Sequence, residues 1–390
     1  MLITYLLHYG TKFVFWNSKS KKLNVIKSTK LCLLLFIGLS TFTFSQVEEL
    51  TPEEQAYSDS IAALNIENAA IGNSQEAYNN GIKLFSEKKF DAAIEQFGKS
   101  VGFDPNFTAA YYNKGVAENE VGKYAEATKT LDKLIQLKPA YSKAYFQRGR
   151  SQQGLNEYLK AEKDYEKSIS LDATNAKAYY NYGTLRFLQK DYDGAISYFT
   201  KTLQLSPDFV NALNDRGSSH RMKGDFAKAI VDYEEAARKN PNLAFVLNNI
   251  GTTKNKMNDY KGALEAFNRA ISVDPNFHLA YNNRGVAQMD KGRLDDAIND
   301  FTKALSLKLN YSAAESNLSG TYFKKKDYMK AKEFADKAIE HDKENGAAYT
   351  NRGMAKEMLR DLNGACEDWH KAKELGSETG KNYYAGNCAN

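Results

Sequence analysis

Apolar positions in this chain follow a helical spacing, and the whole pattern repeats every 34 residues. In a frame that begins at Ser74, position 8 of successive units reads Gly81, Gly115, Gly149, Gly183, Gly217, Gly251, Gly285, Ser319 and Gly353. Position 20 is alanine in all nine units, from Ala93 to Ala365, with no insertion or deletion between them. Position 17 is always aromatic or Leu, and position 24 is bulky in most units, as at Phe97, Tyr165, Phe199, Tyr233, Phe267, Phe301 and Trp369. Turn residues such as Gly122-Lys123, Gly224-Asp225 and Asn258-Asp259 divide each unit in two. The pattern predicts two antiparallel helices per unit. Small residues at positions 8 and 20 permit a close approach, and the rings at 17 and 24 fill the space beside it.

Proline punctuates the same frame. Pro105, Pro139, Pro207, Pro241 and Pro275 all fall at position 32, where a junction tolerates a residue that a helix interior does not. A fixed period of this length is the signature of a solenoid, in which each unit buries its apolar face only against its neighbours.

At these residues the chain resembles the tetratricopeptide-repeat family, from Ser74 to about Glu378. The departures are local: Leu131 is aliphatic at position 24, and Ala173 and Leu309 replace proline. Unit eight is the weakest match, with Ser319, Ala335 and Lys343, and looser packing is expected there. The resemblance implies an all-α, right-handed superhelical solenoid of nine 34-residue helix-turn-helix repeats. Its concave groove is lined by the first helix of each unit. The expected domains are a leader (1–45), a linker or N-terminal capping helix (46–73), nine repeats (74–379) and a C-terminal capping half-repeat (380–390).

Charge changes the picture at the N-terminus. The formal charge is +5, but residues 1–45 contain six lysines and no Asp or Glu, and the remainder holds 47 basic against 48 acidic residues. The surplus therefore belongs to the leader, and a nucleic-acid footprint is not supported. A basic stretch, Lys19 to Lys30, precedes an apolar run, Leu31 to Phe44, and Thr43-Phe44-Ser45 places small residues before a cut at Gln46. The leader reads either as a secretory signal, giving a periplasmic or envelope-associated protein, or as a retained membrane anchor. The run is short of the roughly 20 residues a spanning helix needs. Residues 1–18 are unusually apolar for a leader, and initiation near Leu23 or Ile26 is an alternative reading.

Position 6 carries the candidate binding chemistry. It holds Asn79, Asn113, Asn181, Asn249, Asn283, Asn317 and Asn351, with Gln147 and Asp215 in the other two units. Core packing does not require a carboxamide, whose donor and acceptor match both sides of a peptide bond. The resemblance implies that this row grips a bound peptide on the concave face; the alternative is hydrogen bonding between repeats. Position 5 runs Tyr78, Tyr112, Phe146, Tyr180 and then Asn214, Asn248, Asn282, which is either an aromatic wall followed by an amide-rich one or ordinary packing. Arg148, Arg216, Arg284 and Arg352 recur at position 7, either to clamp an acidic ligand or, as reads better, to lay their stems over a neighbouring helix.

Catalysis finds no foothold. The five histidines are scattered singly, and there is neither a phosphate-cradling loop nor a nucleophile elbow. No cofactor and no metal are expected. Cys366 lies midway along the second helix of unit nine and Cys388 midway along the capping half-helix that packs antiparallel to it. In an exported protein such a pair is either a disulfide or two buried thiols. The sequence thus reads as a non-catalytic scaffold for a protein or peptide partner. The competing readings are a structural component of an envelope complex and a targeting subunit for a separate enzyme.

Overall fold

The computed structural model describes residues 6–9, 12–17, 22–26 and 52–388, without the side chains of residues 6–26 or of Glu54. The chain divides into two units, 1–68 and 69–390. In the first, Leu6–Tyr9, Lys12–Asn17 and Lys22–Ile26 form an antiparallel three-stranded meander. Leu6 stands opposite Phe15, and Phe13 opposite Ile26. No strand is expected there from the repeat pattern, and this sheet departs from an all-helical chain; its strands are short runs rich in β-forming Phe, Val and Ile. The apolar run 31–44 and the cut at Gln46 lie outside the described residues. Among the described residues no helix is long and apolar enough to cross a membrane.

Everything described from Pro52 onward is helix and turn. Pro52–Ser86 is one helix of 35 residues, so the linker or cap read at 46–73 is, from Pro52, continuous with the first helix of unit one. Phe90–Phe103 completes that unit. Thr108–Glu120 and Tyr124–Leu137 form unit two, and the pairing recurs to Gly346–Met358 and Leu362–Glu374 in unit nine. Glu378–Asn387 then packs as the capping half-repeat.

Two devices make the hairpins. The first is a left-handed residue at position 15 of every unit, including Gly122 (φ 76°), Asn258 (φ 63°), Lys190 (φ 62°) and Arg360 (φ 69°). It turns the chain so that the next amide reaches back to position 11, as in Asp191 N–H to the Arg186 carbonyl at 2.9 Å. The second is the glycine at position 8. A Cβ there would stand 2.6 Å from the Phe267 ring at Gly251, 2.7 Å from Phe301 at Gly285 and 2.5 Å from Trp369 at Gly353. The glycine is thus a seat for the ring at position 24, a closer constraint than the helix–helix approach inferred from sequence.

Unit eight is not loose. Its position 24 is Ala335, so the ring is gone, and Ser319 takes the vacated space and donates its hydroxyl to the Ala331 carbonyl at 2.7 Å. Ser319 and Ala335 are both fully buried.

Candidate functional site

The row at positions 5 and 6 is a hydrogen-bonded ladder between repeats. A side-chain amide at position 6 donates to position 5 of the preceding unit. Asn113 reaches the Tyr78 hydroxyl (3.0 Å), Asn249 reaches Asn214 (2.9 Å), Asn283 reaches Asn248 (3.0 Å) and Asn317 reaches Asn282 (2.9 Å). Asn351 donates to the Ser316 carbonyl at 2.9 Å. Asn282 closes onto Asn283 within its own unit at 3.2 Å, so the amides run on from unit six to unit eight. Asn79 and Asn181 stand outside the ladder. Asn79 accepts from Gln75 (3.0 Å) and Asn181 donates to the Lys177 carbonyl (2.9 Å).

Helix geometry explains the ladder. Position 5 is turned inward, and Asn214, Asn248 and Asn282 are buried, while position 6 is half-buried beside it. A buried carboxamide must find partners, and the neighbouring repeat supplies one. Among the described residues Oδ1 of Asn113, Asn249, Asn317 and Asn351 accepts no hydrogen bond. Each is an acceptor available to a peptide N–H.

The aromatic residues at position 5 are used mainly in packing. Tyr78 lies 4.9 Å from Phe107, Tyr112 5.6 Å from Tyr141 and Tyr180 4.7 Å from Phe209. Phe146 is buried against Tyr165 and offers no surface, which removes it from the aromatic wall. Unit five interrupts the row with Asp215, which accepts from the Tyr180 hydroxyl (2.7 Å) and from Asn214 (3.0 Å). Burial raises the Asp215 pKa despite those two donors. Burial, together with Asp215, pushes the Tyr180 phenol up as well.

The arginines at position 7 are already occupied. Each makes a two-pronged pair with an aspartate at position 23 of its own unit: Arg148 with Asp164, Arg216 with Asp232, Arg284 with Asp300 and Arg352 with Asp368, at 2.6–2.9 Å. Nη1 of each reaches back to the second helix of the preceding unit, at Asp132, Thr200, Asn268 and Asp336. The ligand-clamp reading fails, because no guanidinium edge remains to grip a carboxylate. The hydrogen bonds that Arg148 donates to Asp164 hold its pKa above the ordinary value. The sequence carried a signal for this arrangement: Arg at 7 and Asp at 23 occur together in units three, five, seven and nine, a period of 68 residues.

At the C-terminal end Cys366 and Cys388 are joined in a disulfide with Cα atoms 5.7 Å apart. Tyr383 stacks on Trp369 at 5.0 Å, so the capping helix covers the last large ring of the array. His341 pairs with the buried Glu315 at 2.8 Å. Among the described residues no group of three or more His, Cys, Asp or Glu side chains is placed to hold a metal ion.

Three family models described as tetratricopeptide repeat match the chain at residues 108–141, 146–208, 189–244, 244–277 and 278–311, together more than half its length. No curated protein sequence matches it. Among solved structures, a tetratricopeptide repeat protein from Parabacteroides merdae is 18% identical with a TM-score of 0.55, over 63% of this chain and 97% of that one. The APC/C hetero-tetramer Cut9–Hcn1 is 15% identical with a TM-score of 0.53, over 81% and 76%. YrrB, described as a TPR protein with an unusual peptide-binding site, is 25% identical with a TM-score of 0.37, over 47% and 95%.

Proposed function

Since the chain belongs to the tetratricopeptide-repeat family, whose fold serves protein–protein interaction, we propose that it is a non-catalytic scaffold that binds an extended segment of a partner protein along the row at positions 5 and 6. The observation that carries this reading is the set of open acceptors at Asn113, Asn249, Asn317 and Asn351, held in register by the ladder beneath them. An amide fixed by its own hydrogen bond presents its remaining oxygen without further loss of rotamer freedom. Backbone N–H groups of a peptide match such acceptors with little demand on its side chains.

Export completes the reading. The basic-then-apolar leader supports secretion into an envelope compartment, where the Cys366–Cys388 pair would be kept oxidised. Mass spectrometry of unreduced peptides from the native compartment tests this, and free thiols at both positions would count against export.

The same ladder favours a second reading, in which the amides serve only to bind repeat to repeat and the chain is a passive component of an assembly. Substituting Asn113, Asn249, Asn317 and Asn351 together by alanine distinguishes the two. The variant is compared with the intact protein in pull-down from an envelope fraction, with helicity and Tm measured alongside. Loss of the partner at unchanged helicity supports groove binding. Retention of the partner removes it.

A further inference from the structure

Position 7 of each first helix lies about 100° around the helix from position 6, so it serves a face other than the ladder. On that face units four, six and eight have no arginine–aspartate pair. In unit four the place is filled by rings: Tyr198 at position 23 stacks on Tyr182 at position 7, with centroids 4.1 Å apart. In unit eight Phe334 occupies position 23, packs against the cluster that contains Leu318 and stacks on Tyr322 at 5.4 Å. Lys337, at position 26, lies over the Phe334 ring with its Nζ 4.8 Å from the centroid.

Unit six has the same architecture without the ring. Position 7 is Ile250 and position 23 is Ala266. The result is a pocket of about 290 Å³. Its floor is Ala237, Ile250 and Ala266, all buried members of one apolar cluster. Its rim includes Lys254, which is held by Glu234 at 3.4 Å, and Arg269. Arg269 is at position 26, the counterpart of Lys337, and forms no ion pair among the described residues. The pocket is open, with charged Glu234, Arg238, Lys254, Glu265 and Arg269 around the apolar floor. Its volume exceeds the roughly 150 Å³ that suffices for benzene in an aliphatic cavity, so there is room for a phenyl or phenol ring.

We propose that the unit-six pocket binds an aromatic side chain, Phe or Tyr, presented by a partner protein. The ring sits where Tyr198 and Phe334 sit in the sister units, with the Arg269 guanidinium over its face as Lys337 lies over Phe334. The repeat itself supplies the template: the surroundings of position 23 accept a ring twice, and the third copy leaves that place open. This site is independent of the asparagine row and stands whether or not a peptide binds there.

The test is methyl NMR on the full chain with labelled isoleucine, titrated with N-acetyltyrosinamide. The Ile250 δ-methyl is expected to shift and saturate, and N-acetylalaninamide is expected to leave it unmoved. Ala266→Phe restores the ring from within and should abolish the response; if that variant does not fold, Ala266→Leu serves the same purpose. Arg269→Ala should weaken binding by about two- to five-fold. An Ile250 methyl that does not respond, or that responds equally in the filled variant, overturns the proposal. Wild-type dimers that Ala266→Phe dissociates in sedimentation would also overturn it, by giving the pocket to a second copy of this chain.

Discussion

Units three, five, seven and nine pair a half-buried arginine at position 7 with a buried aspartate at position 23. Units four, six and eight place Tyr182 with Tyr198, Ile250 with Ala266, and Leu318 with Phe334 at the same two points. The backbone around them is alike, with the same helix pair and the same left-handed residue at position 15. The difference lies in what each solution tolerates. An ion pair is directional and stoichiometric, so it must be complete: a charge left alone in a half-buried site is penalised by desolvation. An apolar pair is constrained only by volume, so it can be overfilled, filled or left short. Unit six is left short, and a pocket floored by Ile250 and Ala266 opens there.

Removing one half of an ion pair should have the largest effect. Asp300→Ala leaves Arg284 without its carboxylate and should destabilise by about 3 kcal/mol, while Arg284→Met with Asp300→Leu should recover most of that loss. Urea denaturation gives the size. Hydrogen exchange should place the damage in units six to eight, because each repeat touches only its neighbours.

The glycine seat is common to both kinds of unit and should not discriminate between them. Gly251→Ala and Gly285→Ala each drive a Cβ into the ring at position 24 and should cost a similar amount, about 2 kcal/mol. A cost confined to one of the two would break the equivalence of odd and even repeats. Phe334→Ala should convert unit eight into a copy of unit six, at about 2 kcal/mol, less than for a fully buried ring because Phe334 is half-exposed. In the same variant the methyl groups of Leu318 should begin to respond to N-acetyltyrosinamide.

Asp215 tests whether the ladder follows the same logic. Its pKa is raised by burial, so the fold prefers the protonated form. That preference stabilises fully below the unfolded pKa and is lost as pH rises through the folded one. Asp215→Asn keeps the acceptor for Tyr180 and carries no charge. It should therefore raise stability at pH 7 by about 1 kcal/mol, and the advantage should vanish below the ordinary aspartate range near pH 4. Thermal melts of both proteins across that range decide it. At the small end, Lys325→Ala removes an exposed pair with Asp295 and should leave Tm unchanged within error.

Much of this molecule is legible as text because a repeat prints its own alignment. Gly at 8, Ala at 20, a ring at 17 and Pro at 32 recur in register, and each has one packing role. The asparagine row is legible for the same reason. Its use is not, because a carboxamide looks identical whether it faces a ligand or the next repeat. Phe146 reads as a groove aromatic and is buried, since a one-residue step turns a helical side chain by about 100° and the sequence shows no origin for that angle. Serine at position 8 reads as a defect, and Ala335 sixteen residues later makes it a fit.

The sequence alone determined the helical hairpin, the period and the number of units, because these follow from local propensity and a pattern each unit repeats. Only the tertiary structure decided which polar groups are already satisfied. Arg148 and Asp164 are sixteen residues apart, and Asn283 and Asn248 thirty-five. Whether such pairs meet depends on how one helix is rotated against another. That rotation also decides which amide oxygens remain open and where the absence of a ring, at Ala266, leaves a pocket.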